Sequence, residues 1–214
     1  DILRDLQSGS LKPVYQCRGD LTGGEIVSPA YDMIKKSEYL YCNIVHTSRG
    51  CPFRCDFCYN SSKNRSYLKR PVEAVLGDIT AVNSKHVMFI DDNFAGDTAW
   101  AERLVRAIGP LGIKWNAAVS INIVNYPDLL DLMKQSGCQS LFIGFESIHK
   151  GSICGVHKIQ NDTGTYESAV EAIHSRGIMI NASFVFGLDS DTKETFRQTL
   201  DWIVENRIET VTSH

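Results

Sequence analysis

The sequence predicts an α/β fold built on parallel strands, and three observations carry that prediction. From residue 41 onward, apolar strand-like stretches alternate with helical ones. Three helices stop at a glycine directly before the next strand, at Leu111-Gly112-Ile113, Ser136-Gly137-Cys138 and Arg176-Gly177-Ile178. Polar residues gather where the strands end. Strand–helix–strand alternation implies parallel strands joined by right-handed crossovers. Glycine suits each stop because a helix end commonly requires positive φ.

Taken in order, residues 1–40 differ from the rest. A short helix is expected at 1–8, followed by loop punctuated by Gly9, Pro13, Gly19, Gly23-Gly24 and Pro29. This reads as a lead-in or linker segment, with the core domain at 41–214. Strands are expected at Tyr41–His46, Val87–Ile90, Trp115–Val119, Leu141–Phe145, Met179–Phe186 and Glu209–Thr212. The first helix, Pro71–Asn83, opens with proline at a plausible first helical position. Thr98–Ile108 places Trp100, Leu104 and Ile108 at helical spacing, and Pro127–Gln135 carries Leu129, Leu130, Leu132 and Met133. Thr165–Ser175 and Lys193–Asn206 complete the set, the latter with Phe196, Leu200 and Ile203 on one face. Residues 209–214 read as a strand cut short, so the chain is expected to be a piece of something longer, truncated in its sixth strand.

The polar strand ends are Ser48-Arg49, Asp91-Asp92-Asn93, Ser120 with Asn122, Glu146-Ser147 and Asp189. Barrels place their sites at the C-terminal ends of the strands, and open sheets bind ligands there at a switch point. A site drawing on five strands favours the barrel.

The chain has 214 residues, 43% of them hydrophobic, enough to bury a core without disulfide staples. Its formal charge of -3 gives no sign of a nucleic-acid-binding surface. No run of about 18 apolar residues signals a membrane span, and no secretory signal opens the sequence. The seven cysteines are odd in number, and three fall within Cys51–Cys58. A disulfide framework pairs an even set in a shorter chain; thiolate metal ligands in a reducing cytoplasm fit better.

The motif that carries chemistry is Arg49-Gly-Cys51-Pro-Phe-Arg-Cys55-Asp-Phe-Cys58-Tyr-Asn60, directly after the first strand. Three thiolates at C-x3-C-x2-C spacing can wrap one side of a cubane cluster. Iron–sulfur clusters are usually held by four cysteines, so one iron is left open to an exogenous chelating molecule. Two alternatives compete. A Cys3His zinc site could recruit His46, although zinc knuckles favour C-x2-C pairs. A ferredoxin uses a tighter run with a fourth cysteine nearby.

The spacing, with Phe57 before the last cysteine, resembles the signature of the radical S-adenosylmethionine (SAM) superfamily. The resemblance covers roughly residues 41–214. It implies a partial (β/α)6 TIM-like barrel and a [4Fe-4S] cluster on Cys51, Cys55 and Cys58, with SAM chelating the unique iron. The implied reaction is one-electron cleavage of SAM to methionine and a 5′-deoxyadenosyl radical. Thr47-Ser-Arg-Gly-Cys-Pro-Phe-Arg-Cys55, Phe89-Ile-Asp-Asp-Asn-Phe94, Gly144-Phe-Glu-Ser147 and Phe186-Gly-Leu-Asp-Ser-Asp-Thr192 further resemble the cobalamin-binding type. Cobalamin would then sit in a domain absent from this chain, and the resemblance implies methyl transfer or ring rearrangement as the net chemistry.

By position, the resemblance assigns SAM contacts to Phe57, Asp91, Asp92, Glu146, Ser147, Lys158, Asn181 and Ser183. Asp91, Asp92 and Asn93 would meet the methionine amino group; Glu146 and Ser147 would meet the methionine or ribose. Lys158 would meet the carboxylate. Asn181 and Ser183 alternate along one strand and so face the same way. Each has a plain structural alternative, such as helix capping, rim solvation or barrel filling. The resemblance also implies an external electron donor such as a flavodoxin or ferredoxin, and a small-molecule, natural-product or lipid substrate. An electron-transfer protein or a non-catalytic binding protein on the same barrel are the competing functions. Cys42 and Cys138 read as small buried hydrophobes; Cys17 and Cys154 fall in loops.

Overall fold

The structure is a computed structural model that describes residues 2–15, 22–61 and 66–214. Cys17 lies outside the described residues. Among the described residues eight strands form: β1 (Ile44–Val45), β2 (Ser48–Arg49), β3 (Leu68–Lys69), β4 (His86–Phe89), β5 (Lys114–Val119), β6 (Cys138–Glu146), β7 (Met179–Phe184) and β8 (Thr210–Ser213). Six of them make one sheet in the order β1-β4-β5-β6-β7-β8, with every neighbouring pair parallel. The sheet is open, which makes it a partial barrel. β2 and β3 pair antiparallel as a separate ribbon.

The α-helices among the described residues are α1 (Ile2–Gln7), α2 (Val72–Val82), α3 (Thr98–Ile108), α4 (Pro127–Gln135), α5 (Lys150–Gly155), α6 (Tyr166–His174) and α7 (Lys193–Glu205). α3 and α4 match their sequence boundaries, α1, α2, α6 and α7 differ by a residue or so, and α5 is not expected from the sequence. Pro71 caps α2 rather than opening it. The expected first strand, Tyr41–His46, shrinks to two residues, and Ser48-Arg49 pairs with Leu68-Lys69 in the ribbon instead of ending that strand.

The three glycine stops behave as the sequence predicts: Gly112, Gly137 and Gly177 have φ of 61, 107 and 64°. At Gly137 a Cβ would also run into the Ile113 carbonyl, so both dihedral and space demand glycine there.

The core is a layer of large rings between sheet and helices. Phe89, Phe94 and Trp115 cluster with centroids 5.3 to 5.5 Å apart. Phe145, Tyr166, Phe184 and Trp202 form a second cluster. Trp202 settles the rotation of α7. It turns inward with Thr195 and Thr199, which leaves Phe196 59% and Leu200 55% exposed. The Phe196/Leu200 stripe is therefore not the buried face of this helix. Burying the larger indole, whose Nε1 donates to Glu167 at 2.6 Å, outweighs the smaller apolar stripe.

Candidate functional site

The site begins at the end of β1. Asp91, just past β4, is buried, and its carboxylate accepts three hydrogen bonds of 2.7 Å, from the Thr47 amide, the Thr47 hydroxyl and the Ser48 amide. The exposed Asp92 accepts from the Gly50 amide at 2.9 Å. Gly50 has φ of 82°, and a Cβ there would collide with the Ser66 carbonyl. Two adjacent aspartates on one strand end thus hold the backbone that leads into the cysteine loop. Burial pushes the Asp91 carboxyl up, against the pull of its Thr47 and Ser48 donors.

Within the loop, Cys55 is buried and Cys51 and Cys58 are half-buried; all three are free thiols. Burial pushes the Cys51 thiol up, the Phe53 amide and the Asn93 side chain pull it down, and charge on Cys55 and Cys58 pushes the same way as burial. The three sulfurs therefore share one electrostatic neighbourhood. Two amide donors face it: Asn93 Nδ2 lies 3.8 Å from Cys51 Sγ, and Gln160 Nε2 lies 3.4 Å from Cys55 Sγ. Among the described residues no three His, Cys, Asp or Glu side chains converge as a single-ion site. Three thiols with N–H donors aimed at sulfur suit a cluster, whose potential such hydrogen bonds tune.

The opposite wall comes from β6. Its register with β7 shifts between Gly144 and Glu146, and Glu146 takes φ of 63°. A left-handed non-glycine residue is strained by about 1–3 kcal/mol and commonly marks a functional site. Here the kink aims the Glu146 carboxylate at Lys158 Nζ, an ion pair whose side chains are only 8% and 10% exposed. Gly144 makes room for it, since a Cβ there would strike both charged heads. Lys158 Nζ also sits 5.9 Å from the centroid of the half-exposed Phe57 ring, between Cys55 and Cys58 in sequence. The ion pair and the cysteine loop are thereby neighbours.

The remaining expected residues divide. Ser147 is buried and accepts from the His149 amide at 3.1 Å. Ser183 is buried on β7, and Asn181 Oδ1 accepts from Thr212 at 3.3 Å. Sequence reasoning missed Gln160, whose sole signal was its closeness to Lys158. It also missed Asn161, whose Nδ2 donates to the Gly144 and Phe145 carbonyls at 3.0 and 3.1 Å and so braces the β6 kink.

Comparison with known proteins agrees with this geometry. Residues 45–203 match the profile of the Radical SAM superfamily. Bacteriochlorophyllide d C-12(1)-methyltransferase of Chlorobaculum tepidum is 30% identical over 96% of this chain and 47% of its own length. Hopanoid C-2 methylase of Rhodopseudomonas palustris is 28% identical over 86% of this chain and 37% of its own. The chain spans less than half the length of both. The solved structure of the cobalamin-dependent S-adenosylmethionine radical enzyme OxsB superposes with a TM-score of 0.75 at 20% identity, over 94% of this chain and 34% of that one.

Proposed function

The chain belongs to the radical SAM superfamily, and from that premise we propose that it is the cluster- and SAM-binding core of a cobalamin-dependent methyltransferase. The similarity to two methyltransferases and to a cobalamin-dependent enzyme supports this reading. Cys51, Cys55 and Cys58 would hold a [4Fe-4S] cluster. When bound together, cluster and SAM supply an electron and a cleavable sulfonium, which yield methionine and a 5′-deoxyadenosyl radical.

The observation that carries the catalytic reading is the buried Glu146–Lys158 pair beside Phe57. A buried ion pair adds little to stability against apolar packing, and what sets this one apart is its place beside the cysteine loop, which suits binding. A carboxylate and an ammonium side by side match a zwitterionic amino acid, Glu146 taking the amino group and Lys158 the carboxylate. An electron carrier has no use for such a pocket next to its cluster. Asp91 keeps a positioning duty, since Thr47 and Ser48 occupy both its oxygens. Asp92 would flank the cysteine-loop side and Ser147 the β6 wall, while Asn181 and Ser183 would face the site from β7. Protein groups bind, orient and exclude water; the cofactors carry the electron and radical chemistry.

On this reading residues 1–40 connect to the rest of a longer protein, and 41–214 form the radical SAM core. Cobalamin, a low-potential flavodoxin or ferredoxin, and the methyl acceptor would come from outside this chain. No helix among the described residues is long and apolar enough to cross a membrane, and a reducing cytoplasm suits three free thiols. The test is anaerobic reconstitution with iron and sulfide, then reductant plus SAM, with 5′-deoxyadenosine assayed. Product from the wild type and none from Cys55→Ala supports the proposal. A cluster without product sends the reading to electron transfer.

A further inference from the structure

One segment remote in sequence holds the cysteine loop. The Asp56 amide donates to the Val156 carbonyl at 3.1 Å, and the Asp56 carboxylate meets His157 Nδ1 at 2.6 Å. Lys158 stands over the Phe57 ring, and Gln160 reaches Cys55 Sγ at 3.4 Å. The backbone from Val156 to Gln160 therefore runs alongside Cys55 to Phe57 as a strap. Only the Gln160 contact meets a cluster ligand directly, and it meets the most buried of the three cysteines.

The amide orientation is fixed by chemistry. A thiolate only accepts, so the NH2 end of Gln160 must face it. Its Oε1 is buried with no hydrogen-bond partner, so the side chain is not oriented by its own oxygen. A donor to a thiolate stabilises negative charge on sulfur, and a reduced cluster carries one more negative charge than an oxidised one. The hydrogen bond is then stronger in the reduced state, and the potential rises.

We propose that Gln160 sets the reduction potential of the cluster through an N–H···S hydrogen bond to Cys55, as a positioning residue carried on the 156–160 strap. The step concerned is transfer of one electron from an external reductant to the cluster; no bond forms or breaks at Gln160. The inference rests on the proposed function in requiring that a cluster occupies the loop.

The experiment is an EPR-monitored redox titration of the reconstituted chain and two variants. Gln160→Met keeps length and loses the donor; Gln160→Glu puts a carboxylate in its place. Both should be half-reduced at a more negative potential than wild type, Glu further than Met. At the wild-type midpoint the reduced-to-oxidised ratio of the Met variant should fall about two- to tenfold, the span one hydrogen bond supports. Clusters that form with wild-type potential in both variants overturn the inference alone. No cluster in the wild type overturns the functional reading and the inference with it. If the variants fail to assemble a cluster, the wild type decides. With glutamine side chains labelled by 15N, pulsed EPR of the reduced protein should show a 15N coupling, and its absence overturns the proposal.

Discussion

Asp91 and Glu146 are both carboxylates at strand ends, yet the fold gives them opposite duties. Asp91 spends both oxygens on Thr47 and Ser48, while Glu146 is turned by a left-handed kink to face a lysine. Sequence position alone could place both at the rim, but not tell them apart. Asp91's partners lie 43 and 44 residues away and Glu146's lies 12 away across a loop and helix, and neither spacing leaves a trace in local pattern. Asp91→Ala would strand buried donors, each costing about 1–3 kcal/mol; urea unfolding should show a loss of about 3 kcal/mol, together with poorer cluster retention. Gly144→Ala should act differently. Its Cβ would displace the Glu146 and Lys158 heads without touching the cysteines, so iron content should stay at the wild-type level. SAM affinity, measured by equilibrium dialysis, should drop about tenfold, or about 1.4 kcal/mol.

At the scale of elements, what was legible was periodicity. Every described helix except the short α5, and the glycine stops, followed from 3.6-residue spacing and from the need for positive φ. The β2–β3 ribbon was not legible, because two-residue strands carry no period. The rotation of α7 was misleading, since the apolar stripe of Phe196 and Leu200 competes with one tryptophan whose ring partners lie on β6, α6 and β7. Helix α3 offers a clean test of a local signal. Asp97 caps it, accepting from the Trp100 amide at 2.9 Å, and it pairs with Lys69 of the ribbon. The Lys69 hydrogen bond, and then the Trp100 amide, hold the Asp97 carboxyl below its ordinary value of 3.8. Its folded value is depressed, so its contribution is present above the unfolded value and is lost as pH falls through the folded one. Asp97→Ala should cost about 1 kcal/mol at neutral pH and flatten the fall in stability below about pH 4. An unchanged acid limb in a pH series of thermal melts would show that the Asp97 cap and its Lys69 pairing do not contribute in this way.

Across the whole molecule, the lead-in segment is fastened to the barrel by a buried charge. Arg70 and Asp78 pair at 2.6 Å with side chains 1% and 3% exposed. Arg70 also donates to the His46 carbonyl and to Ser28 Oγ, both at 2.8 Å. From the lead-in segment, Tyr31 donates to the Ile44 carbonyl at 3.2 Å and reaches Asp78 at 3.4 Å. Glycine and proline punctuation suggested a loose linker there, because the arginine that ties it down lies beyond the cysteine loop. Breaking a buried pair by removing one partner costs about 3–5 kcal/mol. Arg70→Met should therefore lower stability by about that much, and limited proteolysis should cut within residues 22–38 sooner than in the wild type. The ribbon, the lead-in and the strap at 156–160 converge on one purpose at this scale, which is to hold a three-cysteine loop at the mouth of an open parallel sheet.

On the proposed function, this loop builds a cluster with one iron open to SAM. The measurement that tests it most directly is the EPR spectrum of the reduced, reconstituted chain before and after SAM is added. A [4Fe-4S] signal that changes shape and g values with SAM is expected in the wild type, with the response weakened in Glu146→Gln. A cluster signal indifferent to SAM would contradict it.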